Sequence, residues 1–158
     1  MNTTVTDPQV WQRWKAAKRL ALLATFEDSV TGMRVKEFCR GLSRTLGEEC
    51  QIIEHIWLFR TLRLRELQEI AAEEASASDL VIISVHQAER LPDEVKSWID
   101  LWLSHKGDNH AVLLALLDAA YEEVPGPTQA YLQDIARRGG MEFLVESSEG
   151  PAPRWQPQ

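Results

Sequence analysis

Leu80-Val81-Ile82-Ile83-Ser84-Val85-His86 is a run with almost no polar alternation. A strand with one wet face alternates with period two, so such a run belongs to a strand covered on both faces of a sheet. Leu20–Phe26 and Ala111–Leu117 read the same way. Two further runs differ. Gln51–Phe59 carries Glu54 and His55 in its middle, and Met141–Val145 sets Glu142 and Glu146 at polar positions. These read as edge strands. Between the five runs, segments of 3.6-residue periodicity predict helices at Thr31–Leu46, Leu62–Ala75, Pro92–His105 and Pro127–Arg138. Strand and helix therefore alternate, the pattern of a parallel sheet with helices on both faces. With edges at the second and fifth runs, the order is 2-1-3-4-5; the order 3-2-1-4-5 would leave Leu80–His86 at an edge. Right-handed crossovers then set the first of these helices on one face and the other three on the opposite face.

The helices carry their own signals. Val35, Phe38, Cys39, Leu42 and Leu46 form one stripe, closed by Gly47. Leu64, Leu67, Ile70 and Ala71 form the expected buried stripe of the second. Pro92-Asp93-Glu94 suits a helix start, followed by an apolar face of Val95, Trp98, Ile99 and Trp102. Arg137-Arg138 before Gly139-Gly140 suits a helix end. After Val145 the chain offers Glu146-Ser147-Ser148-Glu149-Gly150 and then Pro151, Pro153 and Pro157, which cannot make the further helix that would complete the first face. At the other end, Asp7 can cap a short helix starting at Pro8, with Val10, Trp11 and Trp14 on one side. That segment is expected to pack over strands one, four or five, with Trp11 and Trp14 buried. The chain thus divides into an N-terminal extension with a short helix (1–18), an α/β domain (19–149) and a Pro-rich disordered tail (150–158).

Composition narrows the function classes. The 158 residues are 44% hydrophobic and 26% charged, with a formal net charge of −7. The acidic balance argues against nucleic acid. The longest apolar run, Ala111–Leu117, is far shorter than the roughly 20 residues of a membrane span, and Met1–Gln9 lacks the features of a secretory signal. Two cysteines, Cys39 and Cys50, make neither a disulfide framework nor a zinc site and fit a reducing, cytoplasmic setting.

Five parallel strands in this order form the flavodoxin-like arrangement, to which flavodoxins and response-regulator receivers belong. Its ligands sit beyond the carboxyl ends of the strands, where the switch point gathers Glu27, Asp28, Ser29, Thr31 and Gly32 after strand one. His86, Gln87, Glu89 and Arg90 follow strand three, and Asp118 and Tyr121 follow strand four. Ser29-Val30-Thr31-Gly32-Met33 resembles the phosphate loop of flavodoxins, and Leu91-Pro92-Asp93-Glu94-Val95-Lys96-Ser97-Trp98-Ile99-Asp100 resembles a stretch of the NADPH-dependent FMN reductases. That resemblance implies FMN as cofactor, with Ser29, Thr31, Gly32 and Tyr121 beside it. Against it, Gln87-Ala88 stands where the reductases have Tyr-Asn, and Glu27 and Asp28 would repel a phosphate. Glu27-Asp28 also resembles the acidic pair of receivers, but the acceptor position falls at Val85-His86, without an aspartate.

No Gly-x-Ser-x-Gly elbow, His-Glu-x-x-His pair or phosphate-binding Gly-Lys loop occurs, so no catalytic residue and no metal ligand is assigned. His86 is the one histidine expected in the crevice. Arg60, Arg63 and Arg65 either receive an anion or pair with Glu66 and Glu69 along one helix. Lys36, Arg40 and Arg44 read as a solvated face. The leading expectation is a non-catalytic regulatory or interaction domain resembling a degenerate receiver, without cofactor. Its partner would be an unidentified protein or small ligand, and homodimerisation is possible. The crevice set is Glu27, Asp28, His86, Gln87, Arg90 and Asp118. The alternative is an FMN-binding redox protein.

Overall fold

The computed structural model describes residues 8–86, 90–107, 110–118 and 126–148, apart from a few side chains including that of Trp11. The strands are β1 (Arg19–Phe26), β2 (Gln51–Leu58), β3 (Leu80–Ser84), β4 (Val112–Asp118) and β5 (Glu142–Ser148). The helices are α1 (Pro8–Ala16), α2 (Ser29–Leu46), α3 (Arg65–Ser76), α4 (Asp93–His105) and α5 (Pro127–Arg138). All strand pairs are parallel and the order is β2-β1-β3-β4-β5, a three-layer flavodoxin-like sheet. The uninterrupted run of β3 lies at the centre, and all five of its residues are buried.

Alternate residues of the inner strands feed two cores. Leu20, Leu22, Leu80, Ile82, Val112 and Leu114 face α2, whose Val35, Cys39, Leu42 and Leu46 close that layer. Leu23, Val81, Ile83, Leu113 and Ala115 face α3, α4 and α5. Trp98 and Trp102 of α4 are fully buried there and stack with ring centroids 5.7 Å apart, and neither indole N–H has a partner among the described residues. Gly47 ends α2 with φ of 79°, a conformation that strains a side chain.

The α2 face has a second cover. Val10 and Trp14 of α1 belong to its core, Trp14 with 2% of its surface exposed. Arg13 Nη2 bonds Glu142 Oε1 of β5 at 2.7 Å, and the Trp14 carbonyl lies 4.0 Å from Cys50 Sγ, just before β2. The N-terminal helix therefore packs on the layer where a helix after β5 would lie, as the sequence leads one to expect. Trp11's side chain and residues 149–158 lie outside the described residues.

The second helical segment differs from its expected form. Phe59–Arg63 is a 3₁₀ turn, Leu64 is extended, and α3 begins only at Arg65. Its buried stripe is Gln68, Ala71, Ala72 and Ala75, whereas Leu64 and Ile70 are 62% and 46% exposed. Two interactions turn the helix this way. Gln68 Nε2 donates to the Leu62 and Glu94 carbonyls, and the alanines let α3 lie close against α4 and the sheet. Smaller differences move the strand ends by one to three residues. Among the described residues no helix is long and apolar enough to cross a membrane.

Candidate functional site

The carboxyl ends of β1, β3 and β4 converge beside the first turn of α2. Asp28 caps that turn: its Oδ1 accepts from the Thr31 amide at 3.0 Å, while Thr31 Oγ1 accepts from the Glu27 and Asp28 amides at 2.8 and 2.9 Å. This is a capping box in which the Thr31 hydroxyl stands where Glu or Gln is usual. Ser84, the last residue of β3, donates its hydroxyl to the Thr31 carbonyl at 2.8 Å and so fastens α2 to the middle strand. Gly32 has a packing reason. A Cβ there would lie 2.9 Å from Cδ2 of Phe26, the ring that ends β1.

His86, two residues beyond β3, is the centre of the site. Its Nε2 lies 2.9 Å from Asp28 Oδ2, and its Nδ1 lies 3.1 Å from both carboxylate oxygens of Asp118 at the end of β4. The ring therefore stands between two aspartates, one on each nitrogen. The His86 amide donates to Glu27 Oε1 at 3.3 Å. Arg34, one turn inside α2, brings Nη2 to 2.6 Å from Asp118 Oδ1; its side chain is only 15% exposed, and its buried Nη1 has no partner among the described residues.

The electrostatics follow from these contacts. Burial disfavours the imidazolium, yet the hydrogen bonds and charges of Asp28 and Asp118 outweigh it and raise His86 above the usual histidine range. Burial would likewise raise the Asp28 carboxyl, but the Thr31 amide and His86 prevail and hold it below the ordinary value. Among the described residues, three carboxylates thus face one guanidinium and one histidine ring whose charged form they favour. Such an arrangement can store and release a proton, and it repels anions.

Of the residues expected in the crevice, Glu27, Asp28, His86 and Asp118 meet. Thr31 supports them from the cap, Ser29 is exposed at the first position of α2, and Arg90 is exposed without a described contact to the cluster. Gln87, Glu89 and Tyr121 lie outside the described residues. Arg34 and Ser84 were not expected. The available signal for Arg34 was a cation one turn after Thr31 on the margin of the buried stripe. Among the described residues, no group of three or more His, Cys, Asp or Glu side chains could hold a metal ion.

Other candidates are accounted for locally. Arg65 pairs with Glu69 at 3.0 Å, but Arg63 reaches Glu94 of α4 at 3.3 Å rather than Glu66. Lys36, Arg40 and Arg44 are exposed. The Cys39 thiol is pushed up to about 12 by burial and by Glu54, so it is unreactive. A concavity of about 510 Å³ between α5 and the start of β5 contains Asp134 and Arg137, which pair with each other, and its lining shares no residue with the cluster at the carboxyl ends of the strands. No protein-family model matches the chain, and no curated protein matches it either.

Proposed function

We propose that this protein is a non-catalytic interaction or regulatory domain, similar in layout to a degenerate receiver. The observation that carries this reading is the His86 ring set between Asp28 and Asp118 at the strand ends. In a receiver this is where an aspartate accepts phosphate beside an acidic pair. Here a histidine ring meets the acids, and His86 Nδ1 and Nε2 are both engaged. The FMN alternative has less support, because the Thr31 amide and hydroxyl are taken up by the Asp28 cap and carboxylates surround the turn where a phosphate would sit. The partner is an unidentified protein or small ligand, a second copy of the chain included; the acidic charge disfavours nucleic acid, and two buried free thiols fit the cytoplasm.

The test combines three measurements on the full chain. Purified protein should show no flavin absorbance, no rise in melting temperature with excess FMN, and no acid-labile or acid-stable label from acetyl phosphate with Mg²⁺. Flavin retention or FMN stabilisation would promote the redox reading; a stable acyl phosphate at Asp28 or Asp118 would replace it with phosphotransfer.

A further inference from the structure

We infer that His86 is a proton-operated link between the ends of β3 and β4: as imidazolium it holds Asp28 and Asp118 together, and on losing a proton to solvent it keeps Asp28 and lets go of Asp118. The inference deepens the proposed function by assigning a form of regulation to the same crevice, and it rests on that reading of the crevice. A neutral imidazole has one N–H and one bare nitrogen. With carboxylates 2.9 and 3.1 Å from its two nitrogens, the neutral ring must point a lone pair at one of them.

The neighbours decide which one. Among the described residues, the charged groups facing His86 are Glu27 and Asp28 from the turn after β1, Arg34 from α2 and Asp118 from β4. Asp118 already has Arg34 Nη2 at 2.6 Å, and the buried Nη1 of the same guanidinium has an N–H to give, so the planar fork can take both carboxylate oxygens. Asp28 has its Oδ1 committed to the Thr31 amide and draws its positive charge for Oδ2 from His86. The remaining N–H therefore stays on Nε2, toward Asp28, and the bare Nδ1 faces Asp118. Glu27, bound to the His86 amide, keeps the backbone in place while the ring contact to β4 opens.

Long-range ¹H–¹⁵N spectra of the histidine rings in ¹⁵N-labelled full-length protein, followed through a pH titration, test this directly. His86→Gln identifies the signal by its loss. The expected result is a His86 midpoint above the ~6.5 of a free imidazole and a neutral form protonated on Nε2. The Asp118 amide should shift with the same midpoint and the Thr31 amide should not. Asp28→Asn should lower the midpoint and transfer the neutral proton to Nδ1; Asp118→Asn should lower it and leave Nε2 protonated. A neutral wild-type ring protonated on Nδ1, or a midpoint at or below that of free imidazole, overturns the inference; both are read on the wild-type protein, where through-bond correlation of the ring to the His86 backbone gives the assignment if His86→Gln does not fold. Flavin binding or phosphorylation would overturn the proposed function without altering the tautomer, so the two failures are distinct.

Discussion

At the residue scale, the site's construction can be tested through its cap and its glycine. Asp28→Ala removes the acceptor from the first turn of α2 and should cost about 1 kcal/mol, the usual value of an N-cap, whereas Asp28→Asn keeps an oxygen for the Thr31 amide and should cost less. Urea denaturation of the two variants gives the comparison. Gly32→Ala sets a helix-propensity gain of about 1 kcal/mol against a methyl 2.9 Å from the Phe26 ring. Contact near the ring's root should win, leaving the variant destabilised by roughly 1 kcal/mol. In Phe26→Ala the same glycine change should become neutral or favourable, and a double-mutant cycle without coupling would contradict the packing reason. Glu27, Asp28, Thr31, His86 and Asp118 were legible in the sequence because strand ends in a parallel sheet of this order converge. Arg34 was not, since it lies inside a helix and its role depends on how close α2 sits to β4.

At the element scale, the apolar run of β3, set against the polar residues inside β2 and β5, ordered the sheet, because only a strand covered on both faces can dispense with alternation. The rotation of α3 was not legible. Its large side chains suggested a Leu–Ile stripe, but three alanines and the bonds of Gln68 turn the small face inward. Periodicity finds a helix more reliably than it finds the face when small residues make the contact. The cover supplied by α1 leads to a sharp expectation. Trp14→Ala should destabilise by about 3 kcal/mol or more, the range for truncating a buried aromatic, while Arg13→Ala at the exposed pair with Glu142 should cost under about 1 kcal/mol. Equal effects in thermal melts would mean that α1 is held by charge rather than burial.

At the scale of the whole molecule, the crevice couples stability to pH from two sides. His86 has a folded pKa above its unfolded value of 6.5, so its contribution is whole below that pH and is lost as pH rises through the folded value. Asp28 has a folded pKa below its unfolded value of 3.8, so its contribution is whole above that pH and is lost as pH falls through the folded value. The network therefore stabilises most between about pH 4 and 6.5. Melting temperatures of wild type and His86→Gln should converge as pH rises past that window, and a constant difference up to pH 9 would be incompatible with the linkage. The position of α1 has a further consequence, in the order of synthesis. Arg13 meets Glu142 across 129 residues, so this contact forms only after β5 has been made, whereas the apolar neighbours of α1 on β1 and α2 are made early. At roughly 5–20 residues per second on the ribosome, Arg13 waits on the order of ten seconds for its carboxylate while Trp14 already has neighbours on β1 and α2. A chain stalled or truncated before β5 would therefore keep the apolar seat of α1 on the early half of the domain and lack the ion pair that ties it to the last strand.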